Sequence, residues 1–102
     1  MIVRTWRGWA TAGSADDYQR HYETAVIEHL RATPGFVEAQ LLRHVDGEEV
    51  MFTSMVTFRD MAAVHAFAGD RPDLAVVEED ARRVLLRWDE HVLHHEVVAR
   101  LP

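Results

Sequence analysis

Between Gly35 and Phe58 the chain reads G-F-V-E-A-Q-L-L-R-H-V, then Asp46-Gly47, then E-E-V-M-F-T-S-M-V-T-F. Two runs rich in β-branched, aromatic and aliphatic residues flank the Asp-Gly pair. That pattern predicts a tight β-hairpin, whose turn calls for positive φ at its centre. Side chains alternate across a strand, so Val50, Phe52, Ser54, Val56 and Phe58 share one face of the second arm. Met51, Thr53, Met55 and Thr57 share the other. The first face reads as a floor for helices. The second is neither oily enough for an ordinary core nor charged enough for open water, which predicts a cover from a second subunit.

The same alternation marks Ile2 to Trp9 as a strand, with Ile2, Arg4, Trp6 and Gly8 on one face and Val3, Thr5, Arg7 and Trp9 on the other. Ser14 is placed to cap a helix whose first turn holds Asp16 and Asp17 and whose apolar stripe is Tyr18, Tyr22, Ala25, Val26 and Leu30. Thr33-Pro34-Gly35 ends it. Asp60 is placed to cap a second helix, with Met61, Val64, Phe67 and Ala68 inward and Gly69 as its stop. Arg71 to Arg83 carries only a loose helical stripe, and Leu85 to Val98 returns to strand character. The order β-α-β-β-α-β predicts an α+β, ferredoxin-like domain: a four-stranded antiparallel sheet with both helices on one face. Thr5, Arg7, Trp9, Met51, Met55, Leu93 and Val97 then form the opposite face. They are too apolar to stay wet, and pairing two such sheets in a two-fold dimer covers them.

A length of 102 residues sets a single domain, 1–102. A formal charge of -6 argues against a nucleic-acid partner. No apolar run reaches the roughly 20 residues that span a bilayer, and M-I-V-R-T-W-R-G-W lacks the layout of a signal peptide, so no membrane partner and a cytoplasmic location are expected. With no cysteine, thiolate chemistry is excluded.

Seven histidines invite a metal hypothesis. His91 and His95 stand roughly 13 Å apart on a strand and His21 and His29 about 12 Å apart on a helix, too far for one ion with ligands at about 2 Å. No metal is expected. His94 falls on the helix side with Trp88, Glu90, Val92 and Glu96, where a neutral imidazole near a carboxylate serves as a base or simply bonds its neighbours. His65 falls off the inward stripe, a position suited to solvent. Trp6, Phe52, Phe58, Phe67 and Trp88 fit either an aromatic pocket or an ordinary core, and Tyr18 and Tyr22 either border that pocket or pack. Ser54, the one small polar residue of the floor, suits a buried ligand or a backbone group.

Four stretches carry a resemblance: W-R-G-W in the first strand, T-P-G-F-V-E-A-Q-L-L-R, V-T-F-R-D-M-A-A-V-H-A-F-A-G, and W-D-E-H-V-L-H-H-E-V-V. Together, over nearly the whole chain, they resemble the antibiotic biosynthesis monooxygenase (ABM) family of dimeric α/β-barrel proteins. The resemblance implies a homodimer whose sheets close into a barrel, with a pocket between each sheet and its helices. Some members oxidise aromatic polyketide intermediates with O2 and neither metal nor flavin; others degrade haem. Aligned on G-S-A-D-D, the haem-degrading branch has its first-strand asparagine at Trp6, its second-helix tryptophan at Phe67 and its haem-ligating histidine near Val77 or Glu78. None of those residue types is kept, which speaks against haem degradation.

The resemblance therefore implies a cofactor-independent monooxygenase acting on an aromatic or polyketide-like small molecule with O2. His94 would be the proton acceptor, Arg4 would stabilise the anion, and Trp6, Phe52, Ser54, Phe67 and Trp88 would shape the substrate site. The alternatives are a non-catalytic dimeric binding or accessory protein of the same fold, and an isomerase or dehydratase using His94 with Glu90.

Overall fold

The structure, a computed structural model, describes residues 1–102. Five strands, β1 (Ile2–Thr11), β2 (Phe36–Asp46), β3 (Glu49–Phe58), β4 (Arg87–Trp88) and β5 (Leu93–Glu96), form one antiparallel sheet. Their order is β2-β3-β1-β4, with β5 also paired to β1. This is the ferredoxin-like arrangement, with β4 and β5 as two pieces of its last strand.

The break in that strand corrects the expectation of a continuous Leu85 to Val98. Gly8 faces Trp88 and Thr5 faces Leu93, so Asp89 to Val92 bulge out opposite only Trp6 and Arg7. The bulge is held from outside, where Ala75 N–H donates to the Glu90 carbonyl (2.9 Å) and Val92 N–H to the Asp73 carbonyl (2.9 Å). Bulges re-aim side chains next to functional sites. Because two extra residues are accommodated, parity is kept, and His94 stays on the helix side opposite Arg4.

The hairpin turn also sits one residue later than expected. Asp46 pairs with Glu49, leaving Gly47-Glu48 as the loop, and only Gly47 (φ 64°) has positive φ there. Positive φ at the first loop residue alone is the type II′ pattern, which glycine satisfies without strain.

The helical layer begins with one run built of α1 (Ala15–His21), a π-helical turn (Tyr22–Val26) and α2 (Ile27–Arg31). Helices α3 (Met61–Ala68) and α4 (Glu79–Val84) complete it. The Asp60 carboxylate caps α3 by accepting from Ala63 N–H (2.9 Å). Ser14 does not cap α1 through its side chain; its Oγ instead accepts from Thr11 Oγ1 (3.0 Å), a local bond that competes with capping. Met61 is exposed rather than inward, and of Arg71 to Arg83 only the stretch from Glu79 is helical.

On the helix face two clusters form the core. Phe52, Val50, Tyr18, Tyr22, Ala81 and Leu85 belong to the first; Phe58, Val56, Leu30, Ala63 and Val64 make the second. Complete burial of Phe52 and Phe58 contributes about 1.5–3 kcal/mol each. On the opposite face Trp9 lies between the Arg7 and Arg87 guanidiniums, 5.3 and 4.7 Å from its ring, and Arg87 also pairs with Glu49 through two bonds. Met51, Thr53, Met55 and Thr57 are half-buried there, while Leu93 is 66% exposed. No helix is long and apolar enough to cross a membrane.

Candidate functional site

Where the two core clusters fail to meet, a largely apolar cavity of about 60 Å3 remains on the helix side of the sheet. Its floor is Arg4 and Trp6 of β1 with Ser54 and Val56 of β3, cross-strand neighbours on one face (Trp6 opposite Ser54, Arg4 opposite Val56). Tyr18, His21 and Tyr22 descend from the first helical run, Phe67 closes one side, and Val76, Val77 and Glu78 form the roof. Helical spacing explains the descent: residues three and four apart share a face, so Tyr18, His21 and Tyr22 point the same way. The π-helical turn that follows is a feature frequent at functional sites.

Arg4 is the one charge in the floor. It is 5% exposed and has no carboxylate within salt-bridge reach. Its partners are neutral: NH1 donates to the Pro72 carbonyl (2.6 Å) and to His94 Nε2 (3.0 Å), NH2 to the Leu74 carbonyl (2.9 Å), and its guanidinium lies 5.7 Å from the Phe67 ring centre. Burial pushes its pKa down to about 10. His94 is held below the usual imidazole range, first by burial and then by the Arg4 charge, with smaller contributions from His95 and His65 and an opposing one from Asp73. A neutral His94 that accepts from Arg4 at Nε2 carries its proton on Nδ1.

Ser54 and Tyr22 satisfy one another, hydroxyl to hydroxyl at 2.8 Å, and both residues are buried. Burial raises the Tyr22 pKa, partly offset by that hydrogen bond. Burial and the neighbouring Tyr22 raise Tyr18 as well. The Trp6 indole donates to the Asp89 carbonyl (2.8 Å), and its ring lies 6.1 Å from Tyr18. Across this space His21 Nε2 is buried without any partner.

Of the residues singled out from sequence, Arg4, Trp6, Ser54 and Phe67 therefore meet around one cavity, and His94 touches it through Arg4. Phe52 lies under Tyr18 (ring centres 4.9 Å apart), inside the first core cluster and outside the cavity lining. Trp88 packs against that same cluster, with the Arg82 guanidinium 5.8 Å from its ring, and is also outside the lining. Glu90 is exposed and forms no hydrogen bond with His94, whose side-chain partner is Arg4. His65 is exposed, its Nδ1 within 3.1 Å of the Gly69 carbonyl. No three His, Asp or Glu side chains gather as a metal site.

His21 was missed as a lining residue, although its place three after Tyr18 puts it on the apolar stripe. The roof from Val76 to Glu78 was missed for a different reason: its residues lie in a loop that carries no period. Trp6, Phe67, Val77 and Glu78, the positions onto which the haem-degrading pattern falls, all border this one cavity.

A family model described as antibiotic biosynthesis monooxygenase matches residues 1–96. Among curated proteins none matches the chain. Among solved structures, a mutant of MhuD, the haem-degrader of Mycobacterium tuberculosis, with two manganese protoporphyrin IX molecules bound per active site, is 24% identical with a TM-score of 0.72. That match covers 100% of this chain and 99% of the other. A monooxygenase from the gene ActVA-Orf6 of Streptomyces coelicolor, in complex with nanaomycin D, is 17% identical (TM-score 0.70; 99% and 91% covered). SnoaB, a cofactor-independent oxygenase of Streptomyces nogalater, is also 17% identical (TM-score 0.60; 99% and 95% covered). At these identities the likeness is one of fold.

Proposed function

Since the chain belongs to the antibiotic biosynthesis monooxygenase family, we propose that it is a small cofactor-independent monooxygenase that oxidises an aromatic or polyketide-like molecule with O2. The observation that carries this reading is the apolar cavity floored by a buried, carboxylate-free Arg4 with His94 against it. The fold shared with SnoaB, a cofactor-independent oxygenase, adds support.

The reaction such a site suits begins at an acidic CH2 between an aromatic ring and a carbonyl-conjugated system. Loss of a proton gives a carbanion whose charge spreads onto oxygen, and a cation in an apolar site stabilises that charge far better than water does. The carbanion passes one electron to O2; the radical pair joins to a hydroperoxide, which loses water. CH2 and O2 become C=O and H2O, so no outside reductant is needed. Arg4 would hold the anion, and Trp6 and Phe67 would exclude water. Neutral His94 would take the proton once Arg4 turns from its Nε2 to the substrate.

The cavity is about 60 Å3, against the several hundred Å3 a multi-ring ligand occupies. The roof over Arg4 must lift for a substrate to enter. That small volume favours the second reading, a non-catalytic binding or accessory protein of the same fold. The isomerase or dehydratase reading lacks its acid–base pair, since Glu90 stands apart from His94. In either surviving case a second copy would cover the Met51, Met55 and Leu93 face and close the barrel.

Oxygen uptake with anthrone-type substrates tests the proposal. Protein-dependent uptake of one O2 per ketone formed is expected. Uptake no faster than buffer across such substrates, with the protein folded and dimeric, leaves the non-catalytic reading in its place.

A further inference from the structure

A buried guanidinium normally has an anionic partner, because removing an ion from water costs several kcal/mol that only good pairing offsets. Arg4 has none. What it has instead is one backbone carbonyl oxygen on each terminal nitrogen, Pro72 O on NH1 and Leu74 O on NH2. Two oxygens set against the two terminal nitrogens of a guanidinium is how a carboxylate binds arginine. The loop carbonyls supply two partial charges where a carboxylate supplies a full one. Glu78, the one acid bordering the cavity, is exposed and forms no ion pair with Arg4. Across the same cavity the buried His21 Nε2 has no partner, so a second polar group is also wanting.

We infer that the ligand of this site is an aromatic carboxylate, and that its carboxylate displaces the Pro72 and Leu74 carbonyls from Arg4. This deepens the proposed function and rests on it for the aromatic part of the ligand. The same exchange loosens the cover of the cavity. Pro72 and Leu74 belong to the segment that runs into the roof residues Val76 to Glu78, so releasing them removes two of its attachments and leaves the Ala75–Glu90 and Val92–Asp73 backbone bonds and the Arg82 bond to the Val77 carbonyl. Arg4 thus serves the loop as a latch and the ligand as an anion site. A hydroxyl or carbonyl elsewhere on the ligand meets His21 Nε2.

The test is a binding measurement without oxygen, so it does not depend on turnover. Benzoate, 2-naphthoate and anthracene-2-carboxylate are each compared at pH 7.5 with the corresponding carboxamide, which has the same shape and no charge, by quenching of tryptophan fluorescence and by calorimetry. For at least one ring count the acid binds about tenfold or more tightly than its amide, the gap between charged and neutral hydrogen bonds. Arg4→Met brings the ratio close to one, and Arg4→Lys keeps part of the preference. Before any ligand is added, the Ala75 and Val92 amides exchange faster in Arg4→Met than in the natural protein, because the latch is gone. Equal affinity for acid and amide at every ring count, preference for the amides, or no binding by any acid overturns the inference, and the natural protein alone decides it. Acid-selective binding with no oxygen uptake from any anthrone, carboxylated ones included, removes the oxygenase reading and leaves this one standing; uptake without acid selectivity does the reverse.

Discussion

Replacing Ser54 with alanine and Tyr22 with phenylalanine, singly and together, isolates the hydroxyl pair that joins the cavity floor to the first helical run. The two oxygens are 2.8 Å apart, and neither has another side-chain partner. Each single change strands a buried hydroxyl, which costs about 1–3 kcal/mol. The adjoining cavity of about 60 Å3 has room for a water that can bond the stranded group, so the lower part of that range applies, about 1–1.5 kcal/mol. The double change strands nothing and should cost about 1 kcal/mol less than the sum of the singles. For a domain of this size that coupling is worth about 4–8 °C in Tm, well within reach of urea melts checked by thermal unfolding. Spectrophotometric titration supplies an independent reading. The Ser54 bond lowers the Tyr22 pKa against the stronger upward push of burial, so Ser54→Ala should move that tyrosine further up. Singles that add to within about 0.3 kcal/mol, with an unmoved tyrosine titration, would show that the pair is not a bonded unit.

Gly8→Ala places a methyl 2.5 Å from the far edge of the Trp6 ring, which is itself tied to Asp89. The ring must swing into the cavity or lose that bond, and urea melts should show about 2 kcal/mol of destabilisation; an unchanged midpoint refutes the packing. The His94 pKa is lower in the folded chain than in the unfolded one, so its contribution is present above about pH 6.5 and is lost as the pH falls through the folded value. Urea midpoints between pH 7.5 and 5 should therefore fall less steeply for His94→Gln than for the natural protein; parallel curves contradict the assignment. Met55→Glu, in the middle of the uncovered sheet face, should convert a particle of twice 11.7 kDa into one of 11.7 kDa in sedimentation, and a natural protein already sedimenting as the smaller species removes the barrel.

Two regular patterns made the sheet and its helix face legible in sequence. Alternation in Ile2 to Trp9 and in Val50 to Phe58 reports a backbone whose residues take turns facing the core, and β1 and β3 pair in unbroken register from Ile2–Phe58 to Thr11–Glu49. That is why Arg4, Trp6 and Ser54 could be assigned to one face. Exclusion of Phe52 and Trp88 from the cavity was not legible, because a residue's face does not say whether its neighbours fill the space above it. Phe52 is covered by Tyr18, and Trp88 by the cluster around Ala81. His21 was legible in principle from its spacing to Tyr18, but the competing metal hypothesis drew it towards His29 instead.

The segment from Pro72 to Val92 resisted reading for a reason that bears on function. Outside α4 and β4 its backbone groups are satisfied by single long-range bonds rather than by a repeating ladder: Arg4 to the Pro72 and Leu74 carbonyls, Ala75 N–H to Glu90, Val92 N–H to Asp73, and the Trp6 indole to Asp89. Bonds of this kind leave no period in the sequence. They also couple the roof of the cavity, the bulge in the last strand and the two floor residues Arg4 and Trp6 into one network. The two Arg4 bonds can be lost to whatever competes for that side chain, which leaves the roof on the Ala75–Glu90 and Val92–Asp73 backbone bonds and the Arg82 bond to the Val77 carbonyl. The irregularity of this segment is therefore what lets a ligand compete for the attachments of the roof.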